Sequence, residues 1–141
     1  MGNAKKLVDQ VWDAVESGDL TPLDRLLAAD VQQTGPGWDL RGVDATKELL
    51  GAYLVAFPDM RHHVVSWAET GDTVALELRV IGTHTGPLQT PQGALAPTGR
   101  TITFRSCDMI TVRDGRISSW HVYFDQMSFL AQVAPEQVPA G

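Results

Sequence analysis

The second half of the chain restricts its fold most, because four long segments there alternate apolar and polar residues. They run from Met60 to Ala68, from Thr73 to His84, from Arg100 to Val112 and from Arg116 to Phe124. Alternation with a period of two, rich in β-branched and aromatic residues, is typical of strands that bury one face. The sequences ETGD and RDGR join the first and second pairs as hairpin turns. We therefore predict an antiparallel sheet with one buried face.

Helical segments precede this sheet. Apolar spacing predicts a helix in AKKLVDQVWDAVESGDL that stops at Gly18, and a short second helix that opens at Thr21-Pro22. A third helix is predicted from Ala45 to Ala56, with Asp44 as its N-cap. Between the second and third helices, TGPGWDLRG is interpreted as a loop because it is rich in Gly and Pro.

A last short helix is predicted from Asp125 to Val133. Helices followed by an antiparallel sheet give an α+β fold, in which the sheet must curve around the helices to bury both apolar surfaces. We expect one such domain over residues 1–134, followed by a disordered tail over residues 135–141.

Composition limits the classes of partner. The chain has 141 residues and a net charge of −6, from 11 basic and 17 acidic residues, which argues against nucleic acid or an anionic membrane. Cys107 is the only cysteine, so an internal disulfide is excluded. No apolar run approaches the ~20 residues of a membrane span. We expect a cytoplasmic protein.

One carboxylate interrupts an apolar row. In the segment ITFRSCDMITV, alternation places Asp108 on the same face as Ile102, Phe104, Ile110 and Val112. A buried carboxylate needs a partner or has its pKa raised. Asp108 therefore either pairs with Arg, Ser, Trp or backbone groups of a neighbouring strand, or lines a cavity where a raised pKa suits proton transfer near neutrality.

Histidines and a second carboxylate are further candidates. Alternation points His84 into the same interior, although a hydrogen bond to the following loop is an equal alternative. Asp125 either caps the last helix or faces the mouth of a pocket. His62 and His63 are adjacent on a strand and face opposite sides, so they cannot clamp a metal together, and no other spacing predicts a metal site.

Five short motifs follow one another along the chain in the order in which a known protein family carries them. The motifs are FPDMRHHV, GTHTG, PTGR, DMITVRDGRI and WHVYFDQMSFLAQ. Together they resemble the SnoaL-like polyketide cyclases of the nuclear-transport-factor-2-like superfamily. The resemblance extends from about Lys5 to Gln132. The resemblance implies a cone, a curved sheet wrapped over helices around a deep pocket, and commonly a homodimer through the sheets. Limonene epoxide hydrolase and ketosteroid isomerase are distant relatives in that superfamily.

The resemblance also implies site residues. Asp108, His84 and Asp125 match the family's Asp and His positions in these motifs, and we predict them as the catalytic groups. The family's characterised ring-closing cyclases carry an acid/base Asp three residues before the closing Asp, where this chain has Val122. In those enzymes a His on a neighbouring strand assists the acid/base Asp, and this His aligns with Asp108 of the present chain.

The predicted function follows from the resemblance and the candidate residues together. We expect a cyclase or isomerase of an apolar carbonyl metabolite, with no metal or cofactor and with general acid/base catalysis in a deep pocket. The alternatives are an epoxide or ester hydrolase and a non-catalytic binding protein. The residues predicted to contact substrate are Trp38, His62, Leu88, Phe104, Trp120 and Phe124. The outward Cys107, Met109 and Tyr123 predict a homodimer.

The segment GPLQTPQGALAP, residues 86–97, is too long for a tight hairpin turn. Long connections of this kind are often lids or binding loops, and this one starts just after His84 and returns to the strand of Asp108. The alternative is a surface loop stiffened by its prolines.

Overall fold

A computed structural model describes residues 3–90 and 92–138 of the chain. Within the described residues, the α-helices are α1 (Asn3–Ser17), α2 (Leu23–Leu26), α3 (Val43–Ala56) and α4 (Gln126–Val133). The strands are β1 (Leu27–Gly35), β2 (Trp38–Arg41), β3 (Arg61–Thr70), β4 (Thr73–Thr83), β5 (Leu88–Thr90), β6 (Gly93–Leu95), β7 (Thr101–Arg113) and β8 (Arg116–Phe124). No helix among the described residues is long and apolar enough to cross a membrane.

Six strands form one sheet in the order β2-β1-β8-β7-β4-β3. All neighbours are antiparallel except β1 and β8, which run parallel. At the β7–β8 turn, Asp114 and Gly115 have positive φ values of 53° and 76°, the geometry that the Asp-Gly sequence favours in a two-residue hairpin. The predicted long strands agree with β3, β4, β7 and β8 within two residues at each end.

The register places Asp108 on the inner face of the sheet. It lies opposite Leu76 of β4 on one side and Val122 of β8 on the other. Leu76 is fully buried, and α1 lies over this face with its own apolar side, including Trp12. The inner face of the sheet and α1 therefore enclose the space that Asp108 faces.

The prediction of a loop in TGPGWDLRG was wrong, because β1 and β2 form a hairpin there. Gly35 and Trp38 lie opposite each other at its end, and a Cβ on Gly35 would overlap the Trp38 indole. The missing side chain lets the indole fold back over the strand. Periodicity cannot detect this packing, because Gly and Pro in a row are also typical of loops.

The start of α3 also differs from the prediction. The helix begins at Val43, with Gly42 at the N-cap in a left-handed conformation (φ 94°) and no side-chain cap. Asp44 lies in the first turn instead. A carboxylate there still interacts favourably with the helix dipole, so the residue suits the helix start without capping it.

The segment over residues 86–97 contains a small hairpin of β5 and β6. Its start is held against the end of α3, where the main-chain N–H groups of Thr85 and Gly86 donate to the Ala56 carbonyl at 3.0 and 3.2 Å. At the C-terminus, Pro135–Gln137 form a 3-10 turn, and residues 139–141 of the predicted tail lie outside the described residues.

Candidate active site

The inner face of the sheet and the helices α1 and α3 enclose a cavity of about 80 Å³. Asp108 lies in its wall, as the alternation predicts. Five of the six predicted substrate-contacting residues line it too: Trp38, His62, Phe104, Trp120 and Phe124. We call this space the inner cavity.

A second pocket of about 370 Å³ lies next to it, and the sixth predicted residue, Leu88, is in its wall. We call it the outer pocket. Its wall includes residues of the β5–β6 hairpin and of α4. The side chains that line both spaces are Trp38, Leu49, Tyr53 and Phe124. The walls of the inner cavity and of the outer pocket therefore have these four side chains in common.

The Asp108 side chain is almost completely buried, at 1% exposure. The Trp120 Nε1–H donates to Oδ2 at 3.0 Å and the Ser106 hydroxyl donates to Oδ1 at 3.2 Å. No Arg or Lys of the described residues forms an ion pair with Asp108. The carboxylate thus has two neutral donors, as one interpretation predicted, and also lines a cavity, as the other predicted.

Burial raises the pKa of Asp108 to about 6, and the hydrogen bonds from Trp120 and Ser106 oppose this rise only in part. A carboxylate with this pKa is mostly ionised at neutral pH and yet accepts a proton readily, which suits a general acid/base.

Three further polar side chains in the wall of the inner cavity escaped the sequence analysis. Gln33 is 2% exposed, and its Oε1 accepts a hydrogen bond from Trp38 Nε1 at 2.6 Å. Burial raises the pKa of Tyr53 to about 12, so its hydroxyl keeps its proton and can donate. Trp12 Nε1 is buried with no hydrogen-bond partner among the described residues. Helical spacing marks Trp12 and Tyr53 as core-facing, but it cannot distinguish packed core from cavity wall.

His84 lines neither space, contrary to the expectation that it faces the cavity with Asp108. The Thr98 main-chain N–H donates to its Nδ1 at 3.2 Å, and the Gly99 N–H donates to its carbonyl at 2.8 Å. Its ring packs against Phe57, with 5.4 Å between centroids. Burial lowers the pKa of His84. The histidine is fully buried and fastens Thr98 and Gly99, just beyond the 86–97 segment, whereas the alternative from the sequence was a rim histidine bonded to the GPLQ backbone.

Asp125 also lies outside both cavity walls. Its Oδ1 accepts the Ser128 main-chain N–H at 3.2 Å, and the side chain is the N-cap of α4. The helix-capping alternative is thus the one that the structure displays. Of the three predicted catalytic groups, only Asp108 faces the inner cavity. No group of three or more potential metal ligands occurs within residues 3–90 and 92–138.

The sequence model of one family, SnoaL-like polyketide cyclase, matches residues 5–133. The chain belongs to this family. IdmH from Streptomyces antibioticus, a proposed polyketide cyclase, is 30% identical, with 92% of this chain and 96% of that chain covered and a TM-score of 0.77. No curated protein matches the chain significantly.

Two more distant structures share the fold. An NTF2-like protein of unknown function from Burkholderia pseudomallei is 18% identical, covers 95% of this chain and 99% of its own, and has a TM-score of 0.78. An LEH-like epoxide hydrolase from M. tuberculosis is 20% identical, covers 94% and 90%, and has a TM-score of 0.71. The predicted α+β fold, a curved sheet over helices, is confirmed.

Proposed function

We propose that this family member is a cyclase or isomerase that moves a proton on a carbonyl metabolite, with Asp108 as its general acid/base. One observation carries the proposal. The ring-closing cyclases that the chain resembles carry their acid/base Asp at the position where this chain has Val122, and Val122 lies directly opposite Asp108 on the inner face of the sheet. Side chains paired in this way have Cβ atoms about 5 Å apart. Asp108 therefore brings a carboxylate to nearly the same part of the cavity from the neighbouring strand.

The chemistry begins with proton removal. Ionised Asp108 takes a proton from the carbon next to a substrate carbonyl, so a C–H bond breaks, an O–H bond forms and the electron pair passes into an enolate. The enolate oxygen needs a hydrogen-bond donor, and Tyr53, whose hydroxyl keeps its proton, lines the same cavity. Return of the proton to another carbon isomerises the substrate. Alternatively, the enolate carbon attacks a second carbonyl and closes a ring, the π electrons of that carbonyl pass to its oxygen, and Asp108 gives its proton to the resulting alkoxide.

The volumes of the inner cavity and the outer pocket suggest which part of a substrate each one holds. Ligand pockets commonly measure ~300–1,000 Å³. The inner cavity, at about 80 Å³, accommodates only the reacting end of such a metabolite, whereas the outer pocket, at about 370 Å³, accommodates the remainder. The proposed substrate therefore has a carbonyl-bearing end and a larger apolar part.

Exchange of carbon-bound hydrogen in D₂O tests the proposal without knowledge of the substrate. We expect the protein to accelerate exchange next to the carbonyl of 2-butanone, measured by loss of the proton NMR signal, because that ketone is small enough for the inner cavity. The Asp108→Asn variant should lose the acceleration, whereas Asp13→Asn, at an exposed position of α1, should keep it. Exchange no faster than in buffer would contradict the proposal, and it is the outcome expected of an epoxide hydrolase.

A further inference from the structure

His62 lies in the wall of the inner cavity and its ring is firmly held. The side chain is 7% exposed, whereas the neighbouring His63 is exposed on the outer face of β3. The Trp12 indole of α1 stacks on the His62 ring, with 4.1 Å between centroids and 13° between planes. The same indole meets Trp120 edge-on at 5.4 Å, and Trp120 donates to Asp108. The imidazole and the carboxylate thus belong to one continuous cluster.

Glu16 of α1 fixes which ring nitrogen carries the proton. Its Oε2 lies 2.7 Å from the His62 main-chain N and 3.3 Å from His62 Nδ1. Its other oxygen lies 3.6 Å from Arg61 Nη1. Because an ionised carboxylate can only accept hydrogen bonds, Nδ1 must be the donor. The neutral ring is then the Nδ1–H form, with a lone pair on Nε2.

The lone pair on Nε2 is available to a ligand. No described residue forms a hydrogen bond with Nε2, and the ring lines the inner cavity. Burial lowers the pKa of His62 to about 4, while the Glu16 carboxylate opposes this. Arg61 and His63 flank His62 on β3, and the other ionisable groups in the wall of the inner cavity are Tyr53 on α3 and Asp108 on β7. The imidazole is therefore neutral at physiological pH.

We propose that His62 binds a hydroxyl group of the substrate by accepting its hydrogen bond at Nε2, with Glu16 as the positioning residue that holds the ring. This inference rests on the proposed function of the same cavity. The substrate class is thereby narrowed to hydroxylated or enolic carbonyl compounds.

The tautomer is measurable by nitrogen NMR of the ¹⁵N-labelled full chain, which contains four histidines. A His62→Asn variant assigns the signals of this ring. We expect a protonated Nδ1 and an unprotonated Nε2 between about pH 5 and about pH 8. In Glu16→Ala the preference for the Nδ1–H form should be lost, whereas in His63→Asn it should be kept. A native ring that carries its proton on Nε2 would overturn the proposal.

Ligand recognition is tested with 3-hydroxy-2-butanone and 2-butanone, which differ by one hydroxyl. The hydroxy ketone should shift the Nε2 signal and bind about fivefold more tightly than 2-butanone, the effect of one hydrogen bond. The preference should vanish in His62→Phe and survive in His63→Asn. Equal binding of the two ketones, or no response of Nε2 to the hydroxy ketone, would overturn the assignment. Because these readouts need no turnover, they are separate from failure of the hydrogen exchange that tests Asp108.

Discussion

At the scale of single residues, the buried carboxylate of Asp108 makes stability depend on pH. Its pKa of about 6 in the folded state lies above the ordinary value of 3.8, so the folded protein holds this proton more tightly than the unfolded chain does. Stability from this group is therefore full below about pH 4 and is lost as the pH rises through about 6. At neutral pH, the difference between the two pKa values makes the fold about 3 kcal/mol less stable than it is at low pH.

Asp108→Asn should consequently stabilise the fold at about pH 8, by roughly 1–3 kcal/mol, because the amide removes the buried charge. The gain should disappear towards about pH 4, where the native carboxyl is protonated as well. Urea unfolding at both pH values measures the difference. Asp13→Asn, an exposed substitution with the same charge change, is the control and should show no comparable gain. A less stable Asp108→Asn variant at about pH 8 would mean that the ionised form is needed for folding.

At the scale of elements, one glycine within α3 and one at the start of the 86–97 segment, which packs against the end of α3, predict opposite effects of the same substitution. A Cβ on Gly86 would overlap the Val55 carbonyl oxygen, which belongs to the backbone and cannot move away easily. A Cβ on Gly51, within α3, has no heavy atom within 4 Å. Gly86→Ala should therefore destabilise the protein by about 2 kcal/mol, and Gly51→Ala should stabilise it by about 1 kcal/mol.

Thermal unfolding of these two variants beside the native protein measures both effects. A Gly86→Ala variant as stable as the native protein would show that the start of the 86–97 segment can separate from α3. That result would favour the interpretation of the 86–97 segment as a movable lid over that of a stiff surface loop.

The β5–β6 hairpin is the second element with a testable role. Leu88 is 7% exposed, and together with Gln89 and Thr90 it lines the outer pocket. Replacing residues 88–95 by a short Gly-Ser link should cost about 2 kcal/mol of stability from the lost burial of Leu88. It should also weaken binding of long apolar ketones more than that of 2-butanone, because only the former reach the outer pocket. Calorimetric titration of a ketone series measures this.

The two contrary outcomes have separate meanings. A shortened variant that unfolds at room temperature would make the hairpin structural, and one that binds every ketone as the native protein does would mean that the hairpin covers nothing. Thr98 and His84 are left unchanged in this design, because their hydrogen bonds close the base of the segment.

At the scale of the whole molecule, the outer face of the sheet predicts a homodimer. Cys107 and Tyr123 are direct neighbours there, Met109 follows on β7, and Tyr123 and Met109 are 57% and 38% exposed. We expect light scattering of the native protein at micromolar concentration to give twice the mass of one chain. The Tyr123→Asp variant should give the mass of a single chain. Val55→Asp places a charge on an apolar residue of α3 that is 56% exposed and should leave the dimer intact. A native monomer under these conditions would exclude the interface.

Local pattern was sufficient for the long strands and for the side of the sheet on which Asp108 lies. Alternation is a property of the extended chain itself, so β8 was predicted with its exact ends and β7 within one residue. Local pattern was insufficient where the structure depends on packing between side chains that the pattern does not relate. The β1–β2 hairpin depends on the Trp38 indole over Gly35, and β3 has a register shift between Val64 and Ser66 that no pattern in its sequence announces.

Some features of the candidate site likewise follow from the sequence, and others depend on tertiary packing. The sequence by itself determined that a carboxylate and several aromatic rings occupy the inner face, because side-chain direction in a strand follows from residue number alone. The tertiary structure decided that Asp108 meets Trp120 and Ser106 instead of an Arg, and that His84 meets Thr98 and Phe57 instead of the cavity. It also joined Glu16 to His62, which are 46 residues apart. Such contacts depend on how α1 crosses the sheet, and the packing of separate elements fixes that crossing, which local periodicity does not encode.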